Sequence, residues 1–125
     1  ANSVYLSYII NAYNHYYNWN RLDYIFKYPY NKLIPQLFDG SNSFIDILVE
    51  LPFRYENLLT SNYLEELYLN NNELTRKAIL NNTLKNWVPN APVLFIHGDA
   101  DVDVPVESTL NIYDYLVSMG KNNVR

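Results

Sequence analysis

Three carboxylates at alternate positions, Asp99, Asp101 and Asp103, come directly after His97 and Gly98. Acidic side chains this close can ligate a cation, supply a nucleophile or orient an imidazole. They also repel, so their ionisation is coupled. The D-x-D-x-D spacing opens a calcium loop of the EF-hand kind. That loop needs Gly at its sixth position and Glu at its twelfth, where Val104 and Leu110 stand, so calcium is rejected. A phosphatase-type aspartate nucleophile suits a buried strand that runs straight into Asp-x-Asp. Here His97 and Gly98 intervene, and only 22 residues follow Asp103. A structural role also stands open for each. Asp99 can cap the turn by accepting backbone N–H groups, and Asp103 can cap a helix that starts near Pro105.

The elements that must position these groups are legible on either side. Val93, Leu94, Phe95 and Ile96 form a continuous apolar run bounded by Pro92 and Gly98. Such a run predicts a strand buried on both faces of a parallel sheet. Gly98 permits a tight turn, and Pro105 suits the first turn of a helix. The helix predicted over 106–119 carries Val106, Leu110, Tyr113 and Val117 in one stripe. Glu107 complements its dipole, and Gly120 is a natural stop. Val124 reads as the start of another strand. The acidic turn therefore falls at the carboxyl end of a strand, where open α/β sheets place their chemistry. A single parallel strand needs neighbours on both sides. The chain is thus expected to be a fragment, or to complete a sheet with another chain, with self-association as one outcome.

The remaining residues bound the answer further. The chain has 125 residues, enough for one domain and a moderate core. Apolar content of 49% and charged content of 18% are globular values. A net charge of −4, with no basic run, removes the electrostatic support for nucleic-acid binding. There is no cysteine, so neither a disulfide nor a thiolate metal site forms. No apolar stretch is long enough to span a bilayer, and the first residues carry no basic signal-type region. Tyrosine supplies 13 residues. It favours half-buried surfaces, so a Tyr-rich helical face reads either as a core with wet rims or as the lining of a cavity or partner interface.

Residues 1–90 read as short helices joined by Pro and Asn turns. The first, over 4–18, carries Val4/Tyr5, Tyr8/Ile9, Ala12/Tyr13 and Tyr16 on its apolar face, opposite Ser7, Asn11 and Asn14. His15 has no nearby carboxylate and reads as a surface or cap residue. Further short segments span 20–26 and 30–38, the latter interrupted by Pro35. Residues 43–51 fit a strand or a helix, and the helix is favoured because Phe44, Ile47/Leu48 and Leu51 share a face at helical spacing. Thr60 or Ser61 caps a helix to 69. Asn residues 70–72 break it, and Asn72 caps a last helix over 73–82 with Leu74, Ala78 and Ile79 in a stripe. Residues 86–92 are a linker stiffened by two prolines.

The segment Pro92-Val-Leu-Phe-Ile-His-Gly-Asp-Ala-Asp-Val-Asp-Val-Pro-Val106 resembles the turn after the penultimate core strand of α/β-hydrolases. Its pattern is P-hydrophobic-H-G-x-x-D-x-x-V-P. Glu107-Ser-Thr-Leu110 is similar to the start of the next helix there. Phe26-Lys-Tyr-Pro-Tyr-Asn-Lys-Leu-Ile-Pro-Gln-Leu-Phe-Asp-Gly40 and Leu84-Lys-Asn-Trp-Val-Pro-Asn-Ala-Pro92 look like segments of the secretory-lipase-like bacterial branch. Together these motifs cover most of the chain.

The resemblance implies an α/β fragment, with residues 1–90 as a mainly helical cap and 91–125 as part of the hydrolase core. It implies acyl transfer by a Ser-His-Asp triad in a lipase or esterase acting on a small-molecule or lipid carboxylic ester. Asp101, three residues after Gly98, matches the catalytic acid. The sequence holds no G-x-S-x-G, and both histidines, His15 and His97, precede Asp101. In the family's order of Ser, acid, then His, the nucleophile is expected before Ala1 and the base after Arg125, so the chain alone is expected to be inactive. The rest of the hydrolase chain would complete sheet and triad. No cofactor and no metal is implied, and a secreted, periplasmic or membrane-anchored location is suggested. From a different class, a non-catalytic Tyr-rich helical interaction module stands as the alternative.

Overall fold

The computed structural model describes residues 3–69, 74–84 and 87–125. Among them the order is α1 (Ser3–Tyr16), α2 (Leu22–Ile25), α3 (Tyr30–Leu37), α4 (Phe44–Glu50), α5 (Tyr55–Leu58), α6 (Ser61–Leu69), α7 (Leu74–Asn81) and α8 (Val106–Ser118). The chain forms two compact units, Ala1–Ile79 and Leu80–Arg125. The expected break at 70–72, the Asn72 cap and the start of the linker at Asn86 lie outside the described residues.

In the first unit the core gathers Ile10, Ile25, Phe26, Ile34, Leu58, Leu59 and Tyr63, none more than 1% exposed. Two chain segments are stitched together beneath it. Lys27 N–H donates to the Leu58 carbonyl and Thr60 N–H to the Ile25 carbonyl, each at 2.9 Å, around an antiparallel bridge between Phe26 and Leu59. Thr60 then opens α6. Its hydroxyl accepts from Tyr63 N–H at 3.3 Å, an N-cap bond, and donates to the Tyr24 carbonyl at 2.6 Å. Ser43 and Asp46 form a reciprocal capping box at the start of α4.

Helix α1 corrects the expected apolar face. Its buried residues are Ser3, Val4, Ser7 and Ile10, at helical spacing. Tyr5, Tyr8, Ile9 and Tyr16 are exposed instead. Serine is small enough to let α1 approach its neighbours closely. The Ser7 hydroxyl costs little to bury, because it donates to the Ser3 carbonyl one turn back at 2.7 Å. Tyrosine, with a polar tip that prefers water, takes the other face. Helix α4 departs in the same way. Of its expected face Ile47 and Leu51 are buried, whereas Phe44 and Leu48 are exposed, as are Ile45, Val49 and Phe53. In α7 the buried residues are Thr75 and Ala78, while Ile79 is exposed.

The second unit overturns the α/β expectation. Among the described residues no strand forms there. Residues 92–97 are extended but make only an isolated parallel bridge, Val93 to Val124. Val93 N–H donates to the Asn123 carbonyl at 2.9 Å, Phe95 N–H to the Arg125 carbonyl at 2.8 Å, and Arg125 N–H to the Val93 carbonyl at 3.1 Å. Those bonds use one edge and end after two residues. A regular strand needs a longer ladder or a second neighbour. Side chains alternate accordingly. Phe95 packs edge-on against Tyr113 of α8 with ring centroids 6.4 Å apart, while Leu94 and Ile96 are 67% and 85% exposed.

Helix α8 turns its inner face one position away from the predicted stripe. Leu116 is fully buried, and Leu110 and Val117 are half exposed. Its C-terminus closes as a Schellman motif. Gly120, at φ +75°, donates to the Val117 carbonyl at 2.9 Å, and Lys121 donates to the Leu116 carbonyl at 3.1 Å.

Candidate active site

The extended segment 92–97 delivers His97 and Gly98 to a reversal of the chain. Asp101 N–H reaches the Gly98 carbonyl at 3.3 Å, closing a four-residue turn. The Asp101 side chain then organises the three residues after it. Its Oδ1 accepts from the backbone N–H groups of Asp103 and Val104, both at 2.9 Å. Short acidic side chains commonly bond their own backbone two residues on in this manner. These bonds hold the Asp101 carboxyl below the usual aspartate range. The Val104 N–H has the largest effect, the Asp103 N–H comes next, and the nearby His97 adds a smaller one. The side chain is 38% exposed. Asp101 is therefore ionised at neutral pH, with Oδ1 engaged and, among the described residues, Oδ2 without a hydrogen bond.

The two neighbouring aspartates take neither role expected of them. The carboxylate that ties the turn together is that of Asp101, not Asp99. Pro105 occupies the N-cap of α8, and no side chain caps it there, Asp103 included. Among the described residues no group of three or more His, Cys, Asp and Glu side chains is placed to hold a metal ion.

His97 is fixed at both ring nitrogens. Nε2 lies 2.9 Å from the Val104 carbonyl, and Nδ1 lies 2.7 Å from Oγ1 of Thr109 on α8. A carbonyl oxygen only accepts, so Nε2 carries the proton. Nδ1 then takes the Thr109 hydroxyl proton on its lone pair. Asp101 Oδ2 is 3.8 Å from Nε2, too far for a hydrogen bond. With its lone pair taken and its proton pointed at a carbonyl, His97 is a structural histidine in this arrangement and not a general base. Thr109 was not legible as part of the site. Its only signal is its place one turn after Val106, on the inner side of α8. His15 is exposed on α1 and belongs to the other unit.

The site thus brings His97, Asp101, Val104 and Thr109 together in one loop-and-helix corner. It presents one ionised carboxylate with an available oxygen. Such a group can accept a hydrogen bond from an imidazole N–H and stabilise its positive charge.

No family model and no curated protein sequence matches this chain. Solved structures do. The rice cell wall degrading esterase LipA from Xanthomonas oryzae superposes with a TM-score of 0.82 at 23% identity, over 95% of this chain and 32% of that one. A ligand-bound form of the same esterase gives the same values. A candidate hydrolase from Legionella pneumophila superposes with a TM-score of 0.77 at 26% identity, over 96% of this chain and 32% of that one. The chain spans about a third of the length of these proteins (32%) and has an esterase-like fold over that third.

Proposed function

We propose that this chain is the part of a serine ester hydrolase that carries the orienting acid of the triad, Asp101, together with a helical cover for the substrate. One observation carries the reading. Asp101 is held ionised by two backbone N–H groups through Oδ1, and Oδ2 is left without a hydrogen bond. A triad acid must do two things at once: keep its charge, and offer an oxygen to the imidazole that it orients. The esterase-like fold supports the same class.

On this reading the serine nucleophile and the histidine base come from chain outside these 125 residues, and the residues alone hydrolyse nothing. Residues 91–125 bear the acid, and residues 1–90 form the cover. The bare edge and the exposed Leu94 and Ile96 side chains of the acid-bearing segment favour a covering partner, as does the exposed apolar face of α4. The rest of the hydrolase chain is that partner. The substrate is a carboxylic ester with an apolar acyl part, of lipase or esterase type.

The test is Asp101→Asn in the full-length protein, with p-nitrophenyl esters as substrates. Asparagine keeps an Oδ1 for the Asp103 and Val104 N–H groups, so the loop is expected to survive. It cannot stabilise an imidazolium, and kcat/KM should fall by about 10⁴. An unchanged rate in a folded variant removes Asp101 from the chemistry.

The outward tyrosines favour one other reading, a non-catalytic helical module whose Tyr-rich face binds a partner. Tyr8, Tyr16, Tyr28 and Tyr68 are all more than half exposed. A full-length protein that cleaves no ester at all, with or without Asp101, would favour that reading.

A further inference from the structure

We infer that His97 is a positioning residue whose two ring nitrogens tie the loop bearing Asp101 to α8 and so set the direction of the free carboxylate oxygen. The consequence for catalysis rests on the ester-hydrolase reading; the tie itself does not.

The loop from Gly98 to Pro105 has few anchors of its own. Asp101 bonds only to backbone within the same loop, through Gly98, Asp103 and Val104. Those bonds give the loop a shape, but they do not attach it to anything. Val102 is 95% exposed and Val104 51% exposed, so apolar packing holds it only weakly. His97 supplies the attachment. It sits on the last residue of the extended segment and is 13% exposed at the side chain. Its Nε2–H grips the Val104 carbonyl, while Val104 N–H is gripped by Asp101. The same peptide neighbourhood is thus held from both sides. Its Nδ1 takes the hydroxyl of Thr109, one turn into a thirteen-residue helix that is itself closed at its far end. Thr109 also selects the tautomer: by donating to Nδ1 it leaves the proton on Nε2, where the Val104 carbonyl needs it.

The two bonds can be separated by substitution. Glutamine can place an N–H donor near the position of Nε2, and asparagine can place an acceptor near the position of Nδ1. His97→Gln keeps the bond to Val104, and His97→Asn keeps only the bond to Thr109. The experiment measures, by NMR on this chain, the Asp101 carboxyl titration and the exchange rates of the Asp103 and Val104 amides. Each variant cuts one half of the tie to α8, so neither should match the wild type. Both should raise the Asp101 midpoint toward the ordinary aspartate value and speed both amides at least ~10-fold, as expected for a lost hydrogen bond of about 1.4 kcal/mol. If either variant matches the wild type, the inference fails. Should either variant not fold, ¹⁵N-labelled histidine in the wild type and in Thr109→Val decides. In the neutral ring the wild type should carry its proton on Nε2, and Thr109→Val should lose that preference. A wild-type proton on Nδ1 would overturn the inference. In the full-length enzyme, both variants should lower kcat about 10-fold with KM little changed. A full-length wild type without ester turnover, with the NMR arm as expected, would count against the hydrolase reading alone, whereas loss of turnover with no change in the NMR arm would overturn the inference.

Discussion

The Tyr63 hydroxyl meets the Thr75 hydroxyl at 2.6 Å in a fully buried setting, joining α6 to α7. A buried hydroxyl that loses its partner carries a desolvation penalty, while removal of both partners is far milder. Tyr63→Phe and Thr75→Val are each expected to destabilise the fold by about 1–2 kcal/mol. The double variant should cost less than the sum by about 1 kcal/mol. Urea unfolding of the four proteins gives the cycle, and strict additivity would show that the two hydroxyls do not depend on each other.

Ser7 tests the face on which α1 packs. Hydropathy alone would count Ser7→Leu as a gain. Because Ser7 is wholly buried in a close contact, the extra volume should instead destabilise by about 1–3 kcal/mol. Tyr16→Ala, on the exposed face, should change stability by less than about 0.5 kcal/mol. Thermal unfolding of both variants would expose a wrong face by reversing that order.

Acid should weaken the first unit through Glu66. Arg21 Nη2 lies 2.8 Å from Glu66 Oε2, with the side chains 26% and 22% exposed. The Arg21 guanidinium, helped by the Tyr24 hydroxyl, holds the Glu66 carboxyl below its ordinary value. A folded-state pKa that is depressed means that the unfolded chain binds the proton more readily. The stabilisation is therefore complete above the unfolded value of about 4.3, and it is lost as pH falls through the folded value. The stability advantage of the wild type over Glu66→Gln should be present at about pH 6 and shrink toward about pH 3. An advantage that grows on acidification would contradict the assignment.

Features that close within a few residues were legible in order along the chain. Gly120 stops α8, Thr60 caps α6, and the Ser43 region starts α4, because each is satisfied by backbone at most one turn away. Which face each helix buries was not legible. In α1 the buried positions fell to Ser3 and Ser7, and Tyr5, Tyr8 and Tyr16 were left exposed, which hydropathy does not foretell.

The acidic turn divides along the same line. At 97–105 the turn and the helix after it were legible, since turn chemistry depends on adjacent residues, while Asp101 was marked out only through the resemblance to the hydrolase pattern, three residues after Gly98. Only the tertiary structure decided that Asp101 and not Asp99 ties the loop, that His97 is consumed by Val104 and Thr109, and that residues 92–97 stay a single bridge and not a strand. Each of these depends on a partner at a distance: a threonine on the next helix, or a neighbouring strand. A strand signal in sequence reports apolar side chains, but the hydrogen bonds that make a strand belong to the chain beside it.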